Sequence, residues 1–268
     1  MKLVRAHGLG NVYSVLTEGG PLTAEQVRAL CDPATGIGGD GILEPVDTEV
    51  ADAGVRIWNP DGSIAEKSGN GLRIFAAWLA RVGQASPMTI WTGFDTVRAT
   101  VHADVIRVQM GQGTTDPAAL PLDSATPIVN TVLPAPAPQV PAVCVSMGNP
   151  HCVLFVDDVD AVPWTDWGRV LETHPVFPNR TNVQVATVHS DHIAIRIWER
   201  GAGITPASGS SACAVTVAAV LTGRVAPGTH TVRSPGGDLS VSVDVDLNVE
   251  LAGPVAFVAN ITMDETFG

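Results

Sequence analysis

The sequence predicts an α+β protein of two similar domains, each with many strands around one apolar helix. Three observations predict it. An internal repeat lays residues 56–71 on residues 196–211 at an offset of 140, without a gap. Arg56-Ile57-Trp58 is echoed by Arg196-Ile197-Trp198, Ile64 by Ile204, and Ser68-Gly69 by Ser208-Gly209. A second echo, at an offset of 138, sets Gly10-Asn11 and Tyr13-Ser14-Val15-Leu16 on Gly148-Asn149 and His151-Cys152-Val153-Leu154. Two echoes in the same order point to two similar domains with a site between them. The third observation is rhythm. Short alternating strands flank one long apolar stretch per half, 72–82 and 212–221, unlike the regular strand–helix alternation of a doubly wound sheet.

The elements follow in order. Val55–Trp58 is a strand that enters a turn at Pro60-Asp61-Gly62-Ser63. Residues 71–83 read as a buried helix, with Leu72, Phe75, Ala76 and Leu79 on one face and Arg73 and Trp78 near its edge. Strands follow at 88–91, 97–101 and 105–110. The stretch 111–141 is poor in charge and rich in proline, and the domain crossover is placed inside it. The expected domains are 1–120 and 121–268, with room for strand exchange near the termini. The second half repeats the scheme, with strands at 143–146, 152–156, 182–188 and 193–198 and a central helix at 210–221. Strands at 229–232, 239–247 and 255–261 complete it.

Composition excludes several functions. Asp and Glu number 27 against 15 Lys and Arg, a formal charge of -12. Such a chain repels a phosphate backbone and an anionic bilayer, so no nucleic-acid or membrane partner is expected. No run of apolar residues is long enough to span a bilayer, and charge and glycine break up the first eight residues, unlike a signal peptide. A cytoplasmic location is the expectation. Cys31, Cys144, Cys152 and Cys213 form no CxxC and no cluster with histidine, so neither zinc nor a disulfide scaffold is expected.

The two Ser-Gly segments carry the chemistry. Each puts a hydroxyl and a glycine at the start of a helix, where orphan amides can cradle a carboxylate or an enolate-like oxygen. The plainer reading is that Ser68 and Ser208 are only N-caps. Their repetition, in polar surroundings, favours a site.

His7-Gly8-Leu9-Gly10-Asn11, Gly36-Ile37-Gly38-Gly39-Asp40, Arg56 to Ser63, Ser68-Gly69-Asn70-Gly71-Leu72-Arg73, Ser146 to Cys152, Asn182 and Glu199-Arg200-Gly201-Ala202-Gly203 form a pattern. In it the chain resembles the diaminopimelate epimerase family over nearly its whole length. The resemblance implies two pseudo-symmetric domains, each a small β-barrel around a central helix, with the active site in the cleft. It also implies catalysis without cofactor or metal, a small amino or imino acid with a carboxylate as substrate, and a homodimer. In that family two cysteines act as base and acid at Cα, and the matching positions here are Ser68 and Ser208. Ile204 stands where the family usually has Glu, Lys67 directly precedes Ser68, and Val12 and Gly41 also depart from common family residues.

The binding shell matches better. By resemblance, Asn59, Asn182, Glu199 and Arg200 grip the distal amino-acid end of the substrate. Asn11, Asn70 and Asn149, with the amides near Gly69, Gly209 and Ser210, orient the reacting end. Arg200 can fork onto a carboxylate and Glu199 can pair with an ammonium. An alcohol is a poor base near neutral pH, so His151 and Glu199 join the two serines as candidate proton-moving groups. Glu66 and Lys67 are weaker candidates.

Three functions fit. The first is a cofactor-independent isomerase that shifts a proton and a double bond on an unsaturated amino or imino acid, such as a substituted proline precursor in antibiotic biosynthesis. The second is a diaminopimelate epimerase with serine in place of both active cysteines. The third is a non-catalytic amino-acid-binding relative.

Overall fold

The computed structural model describes the chain except residues 104, 266 and 268. Two compact units emerge: Met1–Gln109 with Ala252–Gly268, and Met110–Leu251. The expected boundary at 120/121 therefore meets an observed one at 109/110, and the last seventeen residues lie in the first unit. The reason is a strand at Ala256–Thr262 that pairs antiparallel with the strand at Lys2–Gly8.

The first unit runs β1 (Lys2–Gly8), β2 (Asn11–Glu18), α1 (Ala24–Cys31), β3 (Gly41–Val46), β4 (Ala53–Trp58), β5 (Ile64–Ala65), α2 (Gly69–Arg81), β6 (Met88–Trp91), β7 (Thr96–His102) and β8 (Val105–Gln112). The second runs β9 (Thr131–Val132), β10 (Pro141–Ser146), β11 (Pro150–Phe155), α3 (Trp164–Glu172), β12 (Asn182–Val188), β13 (Ile193–Glu199), β14 (Gly203–Thr205), α4 (Gly209–Leu221), β15 (Gly228–Ser234), β16 (Gly237–Val243) and β17 (Asn248–Gly253). The closing strand of the first unit is β18 (Ala256–Thr262).

The units repeat one topology. β2 pairs parallel with β3 through Tyr13↔Gly41, and β11 with β12 through His151↔Asn182. β3 and β4 pair antiparallel through Ile42↔Trp58, as do β12 and β13 through Val183↔Trp198. β4 meets β6 in parallel as β13 meets β15. The duplication read from the repeat is thus present in the hydrogen-bond ladders: two pseudo-symmetric, β-rich barrels, each around a buried central helix.

Local chemistry explains the elements. In β8, Ile106, Val108 and Met110 are buried while Val105, Arg107 and Gln109 are exposed, the two-residue period of a half-buried strand. α4 is buried almost throughout because it is apolar all round, and its Thr216 hydroxyl donates to the Ala212 carbonyl at 2.9 Å. α2 is equally enclosed. Arg73, expected near the helix edge, is fully buried and donates to the Gly69 carbonyl at 3.3 Å.

Each unit also carries a second, shorter helix that the sequence reading did not predict. α1 opens with a reciprocal capping box between Thr23 and Gln26. It buries Val27, Leu30 and Cys31 against Leu3, Leu16, Ile42 and Trp58. α3 covers the matching face of the second unit with Leu171 against Cys144, Cys152, Leu154, Val183 and Val185. The strand expected at 239–247 ends at Val243. The Asp244 carboxylate there accepts the Asp246 and Asn248 amides, and Leu247 takes a left-handed φ of 63°. That turn leads into β17.

Candidate active site

In the first unit the site grows from the start of α2. Ser68 is extended (φ -136°, ψ 114°) and caps the helix by accepting the Gly71 N–H at 3.1 Å. Gly69 and Asn70 are the first two helical residues. Asn70, 3% exposed, donates to Asn11 Oδ1 at 3.0 Å, and its own Oδ1 is a buried acceptor without a partner. Asn11 opens β2 directly after a tight hairpin at Leu9 (φ 55°) and Gly10 (φ 88°). Four predicted residues, Asn11, Ser68, Gly69 and Asn70, are therefore assembled here. Asn59 lies in the β4–β5 turn, where its amide donates to Ser63 Oγ at 3.0 Å. The sequence reading missed Tyr13, whose hydroxyl lies 3.1 Å from Ser68 Oγ. The signal was present, because the 138-residue echo sets Tyr13 on His151.

The second unit builds a different environment on the same plan. Ser208 is again the extended N-cap residue (φ -142°, ψ 125°), but its side chain makes no capping bond. Its Oγ is 3.5 Å from Ser210 Oγ. Gly209 and Ser210 begin α4. Asn149 lies in the β10–β11 turn, where its Oδ1 is 2.9 Å from His151 Nε2.

His151 is wholly buried. Burial pushes its pKa down to about 3; the neighbouring Gln184 opposes this in part, and the Arg200 charge adds to it. His151 Nδ1 and Gln184 Oε1 nonetheless lack a well-formed hydrogen bond, and Gln184 Nε2 donates to Ser211 Oγ at 2.9 Å. His151, named from the sequence as a candidate proton-moving group, is thus enclosed, with burial favouring its neutral form and its Nε2 set against Asn149. Gln184 and Ser211 were not foreseen.

Asn182 is also committed internally. Its Nδ2 donates to the Pro150 carbonyl at 2.9 Å, and its Oδ1 accepts the Arg200 backbone N–H at 3.0 Å. It shapes the turn after β13. Arg200 itself is exposed, with Nη1 3.4 Å from the Asn179 carbonyl. Glu199, half-buried, closes β13. The turn is held from below by Glu172, whose carboxylate accepts the Gly201 N–H at 2.7 Å. Ile204 is exposed in β14, and Lys67 pairs with Asp95 at 3.2 Å.

Each unit thus offers an N-terminal helix turn with glycine at its first position and a serine hydroxyl at the cap, and in the first unit the Asn70 and Asn11 amides join it. Such a turn can bind a carboxylate and stabilise negative charge that develops beside it. Among the described residues, no group of three or more His, Cys, Asp or Glu side chains is placed to hold a metal ion, and no helix is long and apolar enough to cross a membrane.

The family model for diaminopimelate epimerase matches residues 3–115 and 143–258. The diaminopimelate epimerase of Desulfitobacterium hafniense is 39% identical over 273 residues, covering 96% of each chain. That of Rhodospirillum centenum is 41% identical over 276 residues, 99% of this chain and 93% of the relative. Among solved structures, a probable proline racemase from Agrobacterium radiobacter superposes with a TM-score of 0.74 at 15% identity, covering 98% of this chain and 93% of its own. With the duplicated topology and the paired helix starts, these matches show that the chain belongs to the diaminopimelate epimerase family and is an isomerase-type enzyme.

Proposed function

We propose that the protein is a diaminopimelate-epimerase-type enzyme that removes and returns the Cα proton of a small amino acid, with Ser68 and Ser208 standing where the family uses two thiols. The supporting observation is the pair of glycine-bearing helix starts, 69–70 and 209–210, each with a serine at its cap. Their amides would take the reacting carboxylate and spread the charge left on carbon. Asn11, Asn70 and Asn149 would orient that end. Asn59, Glu199 and Arg200 would take the distal ammonium and carboxylate, with Asn182 holding the Arg200 backbone. No cofactor enters the proposal. An alcohol ionises far above the pKa of about 8.5 of a thiol, so turnover would be slow.

The test is deuterium entry at Cα of diaminopimelate in D2O, followed by NMR. The wild type should incorporate label slowly, and the Ser68→Cys/Ser208→Cys variant about a hundredfold faster. Failure of both proteins to exchange, at saturating ligand, would sink the reading.

The two hydroxyls favour a second reading. A conjugated substrate has a more acidic carbon than an unactivated Cα and can be deprotonated by a weaker base. The enzyme would then move a double bond on an unsaturated imino acid, such as a 4-alkyl-proline precursor of an antibiotic. Label at an allylic carbon of such a compound, with none entering diaminopimelate, would decide for it. Tight binding with no exchange of either kind would mean a non-catalytic relative.

A further inference from the structure

The two serines are not equivalent. Ser68 Oγ has the Tyr13 hydroxyl at 3.1 Å and the Gly71 N–H at 3.1 Å. Among the described residues, the hydrogen-bond partner of Ser208 Oγ is Ser210 Oγ at 3.5 Å. A serine hydroxyl has one hydrogen and two lone pairs. The Gly71 N–H occupies one lone pair, and the Tyr13 oxygen is placed to take the hydrogen. One lone pair remains for an incoming proton.

Tyr13 suits this position. It is 6% exposed, so its ring is held in place. Gly41 leaves the ring its room: a Cβ there would lie 2.6 Å from Tyr13 Cε1 and 2.2 Å from the Trp58 carbonyl oxygen. A phenol ionises near pH 10, well below an alcohol, and the start of α2 favours a negative charge beside it.

We propose that Tyr13 is the proton store of Ser68, a positioning residue that acts through the serine hydroxyl. The inference rests on the reading of Ser68 as a proton-transfer position. With Tyr13 as phenolate, the substrate C–H proton passes to Ser68 Oγ while the serine's own proton passes to the phenolate oxygen. The C–H electron pair stays on carbon, delocalised into the carboxylate. The reverse movement delivers a proton to carbon. No electron is gained or lost, so no oxidant or reductant is needed.

Tyr13 is the single tyrosine of the chain, so the near-ultraviolet absorbance of tyrosinate titrates this residue alone. Ser68→Ala removes the donor to the phenolate and should raise the midpoint by about one pH unit. Should that variant fold poorly, Ser68→Gly, which removes the same donor and keeps a tolerated N-cap residue, should also raise it. An unchanged or lowered midpoint overturns the proposal.

Deuterium exchange into diaminopimelate gives the second readout. Tyr13→Phe should slow exchange about tenfold or more and abolish its rise with pH on the alkaline side. In the Ser68→Cys background the same change should cost about threefold or less, since a thiol at a helix start ionises unaided. Equal costs in both backgrounds overturn the relay and leave Tyr13 a packing residue. Absence of exchange in every protein, with the midpoint still raised in Ser68→Ala, overturns the proposed function and not the coupling of the two hydroxyls.

Discussion

Trp198 donates its indole N–H to the Glu172 carboxylate at 2.7 Å, and Glu172 is only 5% exposed. The repeat partner Trp58 does the same to Glu44 at 2.8 Å. The two glutamates come from different elements, the last residue of α3 and the middle of β3. An indole N–H withdrawn from water, fully at Trp58 and partly at Trp198, needs an acceptor, and each half supplies one separately. Glu172 further accepts from the Gly201 amide and from Arg180 at 2.5 Å, so it braces the turn that carries Glu199 and Arg200.

Glu172→Ala should therefore lower stability by about 1–3 kcal/mol, because it strands two part-buried donors, the Trp198 indole and the Gly201 amide. Urea unfolding, followed by tryptophan fluorescence, measures this. Arg180→Ala, which removes a half-exposed partner, should cost less than about 1 kcal/mol. Equal losses in the two variants would mean that the Arg180 pair, and not the indole and amide bonds, carries the stability.

His151 makes stability depend on pH. Its pKa of about 3 in the folded protein lies below its ordinary 6.5. The unfolded chain therefore binds the extra proton between those values. The stability due to the neutral ring is present above pH 6.5 and is lost as pH falls toward about 3. The loss should reach roughly 3–5 kcal/mol across that window. Unfolding curves from pH 7 to pH 4 should show it, and His151→Gln should flatten the dependence. A wild-type curve as flat as the variant's would refute a neutral, buried ring.

All four cysteines are buried thiols, and none is in a disulfide. Burial, then the nearby Asp40 charge, raises the Cys31 pKa to about 11 against a smaller lowering by Arg5. The Cys144 thiol is raised well above its ordinary range, first by its bond to Cys152 and then by burial. Thiolates are the reactive form. Iodoacetamide should leave the native wild type unmodified by intact mass, while Ser68→Cys should gain one alkyl group and lose its exchange activity. Rapid labelling of the wild type would show that the interior thiols are reached.

Gly41 should not tolerate a side chain. Its φ of 153° and the short approach to Trp58 and Tyr13 both oppose a Cβ. Gly41→Ala should cost about 2–4 kcal/mol in urea unfolding and shift the tyrosinate titration. An alanine variant with wild-type stability and titration would show that the ring has spare room.

Much of the architecture is legible in the chain. The 140-residue repeat located both central helices, and two-residue alternation located the strands at 88–91, 97–101 and 105–110 to within two residues. The shorter helices were not legible. α1 spans eight residues and α3 nine, too few turns for a helical period to stand out among polar residues. The early strands β1–β3 escaped for a related reason: His7-Gly8-Leu9-Gly10-Asn11 reads as a motif before it reads as a hairpin.

The sequence by itself determined the duplication, the glycine-bearing helix starts and the residue types gathered at them, because these are written in local order and period. Only the tertiary structure decided how those groups differ. It set Tyr13 against Ser68 across 55 positions, enclosed His151 so that burial lowers its pKa, and turned the Asn182 side chain onto the backbone. Proton affinity and hydrogen-bond commitment depend on the burial and the neighbours that folding brings from distant parts of the chain. Two serines in matching places in the repeat thereby acquire unequal surroundings.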